Sequence, residues 1–405
     1  MSDRIVIVGG GQAAGQAAAS LRSAGFEGAV TLVGAEPVPP YQRPPLSKKY
    51  LAGELPFERI LIKPEAFYRQ HDVELRLGSP VDKIEPAGRR VTLGDGSSLE
   101  YSGLLLATGS RVRGLDVPGV DLAGVHYLRT VADVDAIREQ FRPGARLVIV
   151  GGGYIGLEVA AVAVRAGLAV RVIEAEERVM SRVVEASVSR FYERIHAEEG
   201  VAIHNSLPVA RLEGRSAVER VVCRDGEEFP ADLVLIGVGI LPDTDLAADA
   251  GLEVNNGIVV DQHTRTSEPD ICAAGDCTNF PSALYGRRVR LECVQNANEQ
   301  ARAAAATLAG QDRPYNPVPW FWSEQYDVRL QIAGLSHGFD QTVVRGNPDE
   351  GRSFAVFYLR EGVVIAADAV NRTQEYIAGR KLVGARAQVD RATLADESVD
   401  LRELA

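Results

Sequence analysis

Two glycine clusters carry the strongest chemical signal in the chain. Gly9-x-Gly11-x-x-Ala14 and Gly151-x-Gly153-x-x-Gly156 have the spacing that turns a strand tightly into a helix, lets the backbone approach a pyrophosphate and sets that phosphate on N–H groups at the positive helix end. Each is followed by a carboxylate suited to ribose hydroxyls. Glu36 serves the first and Glu174 the second, the latter about 20 residues past its turn, as such carboxylates are spaced. One such pattern alone also fits a purely structural glycine turn. Two in one chain imply two dinucleotides, one held and one exchanged, because a hydride donor must meet an acceptor; FAD with a nicotinamide dinucleotide is the usual pairing. Glu174, Glu176 and Glu177 put negative charge where a 2′-phosphate would sit, and Arg178 is the one cation among them. NADH is therefore expected over NADPH.

The elements that must place these residues are legible in the apolar pattern. Residues 5–8 and 30–33 frame the first turn and its Ala-rich helix, and 147–150 and 170–173 frame the second with a helix over 154–166. Strands this uniformly apolar are buried on both faces, which implies parallel sheets covered by helices. Hairpins at 92–101 and 221–235 feed strands at 104–107 and 233–236. Pro314, Pro317 and Pro319 mark a linker. Beyond it, strands at 328–332, 342–345, 354–359 and 363–369 and a helix over 373–382 make a small α+β domain. The acidic tail after Ala392 has no assigned role.

Composition narrows the function. The 405 residues suffice for two or three domains, and 44 basic against 55 acidic residues, a net charge of -11, discourage a broad nucleic-acid or anionic-membrane footprint. Asp3 and the early glycines leave no signal-peptide core. Residues 159–172, the longest apolar run, are interrupted by Arg165 and Arg171, short of the roughly 18 to 20 residues of a transmembrane helix. Four cysteines are too few for a disulfide framework, so a cytoplasmic protein is expected. Six scattered histidines give no metal site.

With these motifs the sequence resembles the pyridine-nucleotide:flavin oxidoreductases, and within them the NADH:ferredoxin reductases of oxygenase systems, of the putidaredoxin reductase type. The resemblance spans nearly the whole chain. It rests on Tyr41-Gln-Arg-Pro-Pro-Leu-Ser-Lys48, Ala107-Thr108-Gly109, Gly156-Leu-Glu158, Gly237-Val238-Gly239-Ile-Leu-Pro242, Thr266-Ser-Glu-Pro-Asp-Ile-Cys-Ala-Ala-Gly-Asp276 and Glu292-Cys-Val-Gln-Asn296. It implies an α/β architecture of two Rossmann-like domains and a C-terminal α+β domain: a discontinuous FAD-binding domain (1–114 and 246–318), an NAD-binding domain (115–245) and a C-terminal domain (319–405). It implies bound FAD, exchanging NADH and a [2Fe-2S] ferredoxin partner.

Site residues follow from the same resemblance. Gln12, Ala13 and Ala14 line the FAD turn; Tyr154, Ile155 and Gly156 line the NAD turn with Val238 and Gly239. Asp276 takes the place of the carboxylate on the ribityl chain, although Asp there also reads as a helix N-cap. Val81, Arg129 and Val294 are carried over as flavin contacts. Lys48 and Arg43 follow prolines that fix the backbone, which suits cations meeting the pyrophosphate or the electron-rich end of the flavin. Glu158 falls where the family has a carboxylate near the nicotinamide and flavin N5, within reach of Lys48. Trp322 reads as an aromatic capping the flavin edge, or as a core tryptophan. Cys272 and Cys277 have the spacing of a redox pair but not its place in the chain, and are expected to be inert. Arg287, Arg288, Arg290, Arg302, Arg380 and Lys381 are the candidate docking cations for an acidic ferredoxin. An NADH oxidase, a rubredoxin reductase and a redox-sensing protein similar to apoptosis-inducing factor remain alternatives.

Overall fold

A computed structural model describes residues 3–404. It divides into two compact units. The first comprises Met1–Arg43, Pro56–Arg111 and Leu241–Pro319, and the second Pro44–Leu55, Val112–Ile240 and Trp320–Ala405.

In the first unit the strand Arg4–Val8 is central. Its backbone pairs in parallel with Ala29–Gly34 on one side and Gly103–Leu106 on the other, with Ile5 opposite both Val30 and Gly103. Ile271–Ala273 and Val73–Leu77 extend the sheet at its two ends. Burial on both faces explains the unbroken apolar runs, and Ile5, Ile7, Leu32 and Leu105 are essentially inaccessible. The helix Gln12–Ser23 uses alanines at 13, 14, 17 and 18 to come close both to this sheet and to the helix Val294–Leu308.

The second unit repeats the plan. Arg146–Val150 lies between Ala169–Ile173 and Leu233–Ile236, again parallel, with Ala202–His204 and Val125–Tyr127 outermost. The hairpin signals prove accurate: Arg90–Leu93 with Ser98–Glu100, and Arg220–Cys223 with Glu228–Pro230, are antiparallel pairs. The C-terminal region is a five-stranded antiparallel sheet in the order Trp320–Gln325, Val328–Gly334, Val363–Val370, Phe354–Arg360, Gln341–Gly346, covered by the helix Thr373–Ala385. Its first strand was not anticipated beyond the isolated Trp322. The tail is tied down by Arg345, buried in the sheet, whose guanidinium donates to the carbonyls of Leu394, Asp396, Glu397 and Val399. Among the described residues no helix is long and apolar enough to cross a membrane, and no cluster of metal-ligating side chains forms.

Candidate functional site

The two glycine turns are built alike. Gly9 and Gly151 take positive φ, 136° and 108°, and each lies against a carbonyl from the end of the adjacent strand. A Cβ on Gly9 would stand 2.1 Å from the Ala107 oxygen, and one on Gly151 2.5 Å from the Gly237 oxygen, so no other residue fits. Those contacts bring Ala107-Thr108-Gly109 beside the first turn and Gly237-Val238-Gly239 beside the second.

Gly11 and Gly153 are the N-caps of Gln12–Ser23 and Tyr154–Arg165, extended and without a capping side chain. A Cβ at either would meet nothing within 4 Å. By contrast the helix Val131–Arg138 is closed by a capping box of Thr130 and Asp133. The first-turn N–H groups of the two glycine-capped helices are thus left for an anion from outside, which fits a pyrophosphate. Two further features suit nucleotides. The Gln12 amide donates to Asn298 at 2.8 Å, while its buried Oε1 has no partner among the described residues. Ile155 is 40% exposed beside the second turn. Ala13 and Ala14 are buried and offer backbone only.

The ribose carboxylates differ. Glu36 accepts from Tyr41 Oη at 2.5 Å and pairs with Arg43 at 2.7 Å, so Arg43, expected at the pyrophosphate or the electron-rich end of the flavin, also meets a carboxylate of its own chain. Glu174 has no such cation among the described residues. Its two oxygens accept from the backbone N–H groups of Gly152 (2.7 Å) and Glu176 (2.9 Å). Arg178, a cation close to it in sequence, is spent on Ser189 Oγ and the carbonyls of Ser181 and Val184.

Glu158 is tightly held within the second unit. The helix that carries it packs so tightly that a Cβ on Gly156 would lie 2.3 Å from the Gly151 oxygen, and Leu157, Val159 and Ala160 around Glu158 are fully buried. A carboxylate there requires compensation. Lys48 supplies it at 2.6 Å, from a short turn whose Pro44 carbonyl also receives the ammonium. Ser47 Oγ donates to the same carboxylate oxygen at 2.5 Å and Ser323 Oγ to the other at 2.6 Å. The Lys48–Glu158 pair is thus brought together as expected, while Ser47 and Ser323 were missed. Tyr154, one turn earlier, packs against Phe321 in a tilted arrangement with ring centroids 4.8 Å apart, and burial raises its phenol above the ordinary range.

The remaining predicted residues are placed as follows. Asp276 lies between the strands Ile271–Ala273 and Thr278–Ser282, not at a helix start, and accepts from Ser110 Oγ at 2.9 Å; the helix-cap reading is therefore wrong. Thr108 Oγ1 donates to the Asp243 carbonyl. Val81 begins the strand Val81–Glu85 and Val294 begins its helix. Arg129 precedes the capping box, its backbone N–H donating to Asp133. Trp322 is half-buried on the Trp320–Gln325 strand beside Trp320. Of the docking cations, Arg290 pairs with Glu292 and Arg288 is committed to Asn279 and the Val260 carbonyl. Arg287, Arg380 and Lys381 are exposed, and Arg302 is half-exposed in a groove with Arg313 and Tyr315. Cys272 and Cys277 are unbridged and buried; burial pushes the Cys272 thiol up to about 12 and also raises Cys277, the reverse of what a reactive thiolate needs.

Comparison with known proteins agrees with this geometry. Residues 3–301 match the family described as pyridine nucleotide-disulphide oxidoreductase, and residues 320–405 match the reductase C-terminal family. The chain is 46% identical to a ferredoxin–NAD(P)+ reductase of Sphingomonas over 95% of its own length and 94% of the relative's. It is 43% identical to putidaredoxin reductase of Pseudomonas putida over 100% and 97%. A crystal structure of the covalent putidaredoxin reductase–putidaredoxin complex superposes with a TM-score of 0.96 at 43% identity, covering 99% of this chain and 98% of that one. The chain belongs to the pyridine nucleotide-disulphide oxidoreductase family, and within it to the ferredoxin reductases of oxygenase systems.

Proposed function

We propose that this protein is a cytoplasmic FAD-dependent NADH:ferredoxin reductase that delivers single electrons to a [2Fe-2S] ferredoxin feeding an oxygenase. The observation that carries the reading is a pair of glycine turns with open helix ends in a chain matched end to end by ferredoxin reductases. The division into an FAD domain (1–114, 246–318), an NAD domain (115–245) and a C-terminal domain (319–405) belongs to it.

FAD, when bound, takes up a hydride from NADH and gives up its electrons one at a time. The chain's own residues bind and orient. Gly9, Gly11 and the N–H groups after them would hold the FAD pyrophosphate, with Gln12, Glu36, Arg43, Ala107–Gly109, Asp276, Val81, Arg129 and Val294 placing the rest. Gly151, Gly153, Tyr154–Gly156, Val238 and Gly239 would hold NADH, and Glu174 its adenosine ribose. Lys48 and Glu158, locked to one another, would set a fixed charge pair at the reacting rings, with Trp322 capping the flavin edge. Catalysis is then positioning and electrostatics rather than acid–base chemistry. Exposed Arg287 and half-exposed Arg302 in the first unit, and exposed Arg380 and Lys381 in the second, are the cations that would meet an acidic ferredoxin on a chain of net charge -11.

The test is anaerobic reduction by NADH followed by mixing with purified carriers: [2Fe-2S] ferredoxins, rubredoxin, oxygen. Rapid reoxidation by a ferredoxin supports the reading. Rapid reoxidation by rubredoxin or oxygen alone, or slow reoxidation by all, rejects it in favour of a rubredoxin reductase, an oxidase or a sensor. Arg302→Glu should raise the KM for ferredoxin and leave flavin reduction unchanged.

A further inference from the structure

Behind Glu158 runs a chain of buried polar groups that no role yet absorbs. Ser323 Oγ donates to Glu158 Oε1 at 2.6 Å, and Gln325 Nε2 donates to Ser323 Oγ at 3.2 Å. Gln325 Oε1 lies 2.8 Å from His196 Nε2, and the Tyr326 hydroxyl 2.9 Å from His196 Nδ1. Ser323 and His196 are wholly inaccessible and Gln325 nearly so. Burial draws the His196 imidazole down to about 4, so near neutral pH one ring nitrogen donates and the other accepts.

The direction of this chain is fixed at one end. A carboxylate held by Lys48 only accepts. Ser323 must therefore spend its proton on Glu158, which makes its oxygen the acceptor for the Gln325 amide. The amide oxygen then faces His196, which must carry its proton on Nε2, and Nδ1 accepts from Tyr326. Every donor points toward Glu158. Lys48 and Ser47 fix one carboxylate oxygen, and the chain fixes the other.

We propose that Ser323, Gln325 and His196 are positioning residues for Glu158, forming a one-way hydrogen-bond relay that orients its carboxylate for the hydride step. The proposal rests on the reading above that Glu158 stands at the reacting rings. Nothing in the relay is transferred; its role is to hold the carboxylate plane against rotation. Gln325→Glu tests this with almost no change of shape, because a carboxylate at 325 accepts from both His196 and Ser323 and so pulls the serine proton away from Glu158.

The first readout is independent of turnover. In flavin-loaded protein labelled with 15N-histidine, and assigned by loss of the signal in His196→Asn, His196 should show the Nε2–H tautomer. Glu158→Gln, whose amide both donates and accepts, should yield a mixture of tautomers at His196, three hydrogen bonds away. The second readout is stopped-flow flavin reduction. Gln325→Glu should slow the limiting rate at least tenfold and leave the apparent Kd for NADH within threefold. In a Ser323→Ala background the same substitution should change the rate less than twofold, because the relay is already cut. An Nδ1–H tautomer in the unmodified protein, a tautomer untouched by Glu158→Gln, or equal slowing by Gln325→Glu in both backgrounds would overturn the relay. A tautomer that responds while Glu158→Gln leaves hydride transfer unchanged would instead sustain the relay and sink the placement of Glu158 at the reacting rings.

Discussion

The two glycine turns share a backbone and differ in how each carboxylate is balanced. At the first, Glu36 is matched by the guanidinium of Arg43 and the phenol of Tyr41. At the second, Glu174 is satisfied by two backbone N–H groups, and the nearby Arg178 is committed elsewhere. Both carboxylates have their hydrogen bonds, but among the described residues Glu174 has no cation paired with it. FAD has no 2′-phosphate counterpart to refuse, whereas a nicotinamide dinucleotide comes in two forms that differ by that phosphate. The comparison teaches that discrimination lies in what is withheld from the carboxylate rather than in the carboxylate itself.

The turns differ also in their third small residue. Gly156 leaves no room for a methyl group against the Gly151 carbonyl, while Ala14 already carries one in the first helix. The largest effect is therefore expected from Gly156→Ala, which should weaken NADH binding by roughly 100-fold, about 3 kcal/mol, since a backbone carbonyl cannot step aside. FAD content should be unchanged. Ala14→Gly in the first turn should cost only about 1 kcal/mol of stability, as for glycine in any helix. Flavin reduction titrated with NADH and thermal unfolding check the two arms. Equal sensitivity of both turns would end the distinction.

Next in size is the charge difference. Glu174→Arg should move the NADPH/NADH preference in flavin reduction by about 10- to 30-fold, the value of a lost ribose pair and a gained phosphate contact. Glu174→Gln, which keeps acceptor capacity and drops the charge, should give a smaller shift in the same direction. An unmoved ratio would make Glu174 a turn-bracing residue and place ribose recognition elsewhere.

The smallest effect is expected from Arg43→Met, which leaves Glu36 with Tyr41 alone and so imitates the second turn at the first. Both members of the pair are about a quarter exposed, and partly solvated pairs are worth about 1 kcal/mol. FAD should be released about fivefold more readily on gel filtration at low concentration. A complete loss of flavin would show that Arg43 holds the cofactor directly.

Much of this was legible because the signals are local. Positive-φ glycines, apolar strands and carboxylates at strand ends sit within one βαβ unit, and the Lys48–Glu158 pair followed from motifs that named both partners. The relay was not legible, because Ser323 meets Glu158 from 165 positions away in sequence and a lone serine carries no signature. One signal was present. In Trp320–Gln325 the alternation places Phe321, Ser323 and Gln325 on one face, and two polar residues on the buried face of a strand ask for partners. The commitments of Arg43, Arg178 and Arg290 were equally hidden, since a sequence shows where a cation is but not what it spends its donors on.

Arg345 gives the C-terminal segment a particular tolerance. Its guanidinium grips the main-chain oxygens of Leu394, Asp396, Glu397 and Val399, which every amino acid presents alike. The tail is thus recognised as a path of backbone rather than as a string of letters. Glu397 still pairs with Arg372, but tail positions whose side chains make no contact can drift in composition, whereas deleting the path itself would take four carbonyls from the buried Arg345 and leave it Glu375.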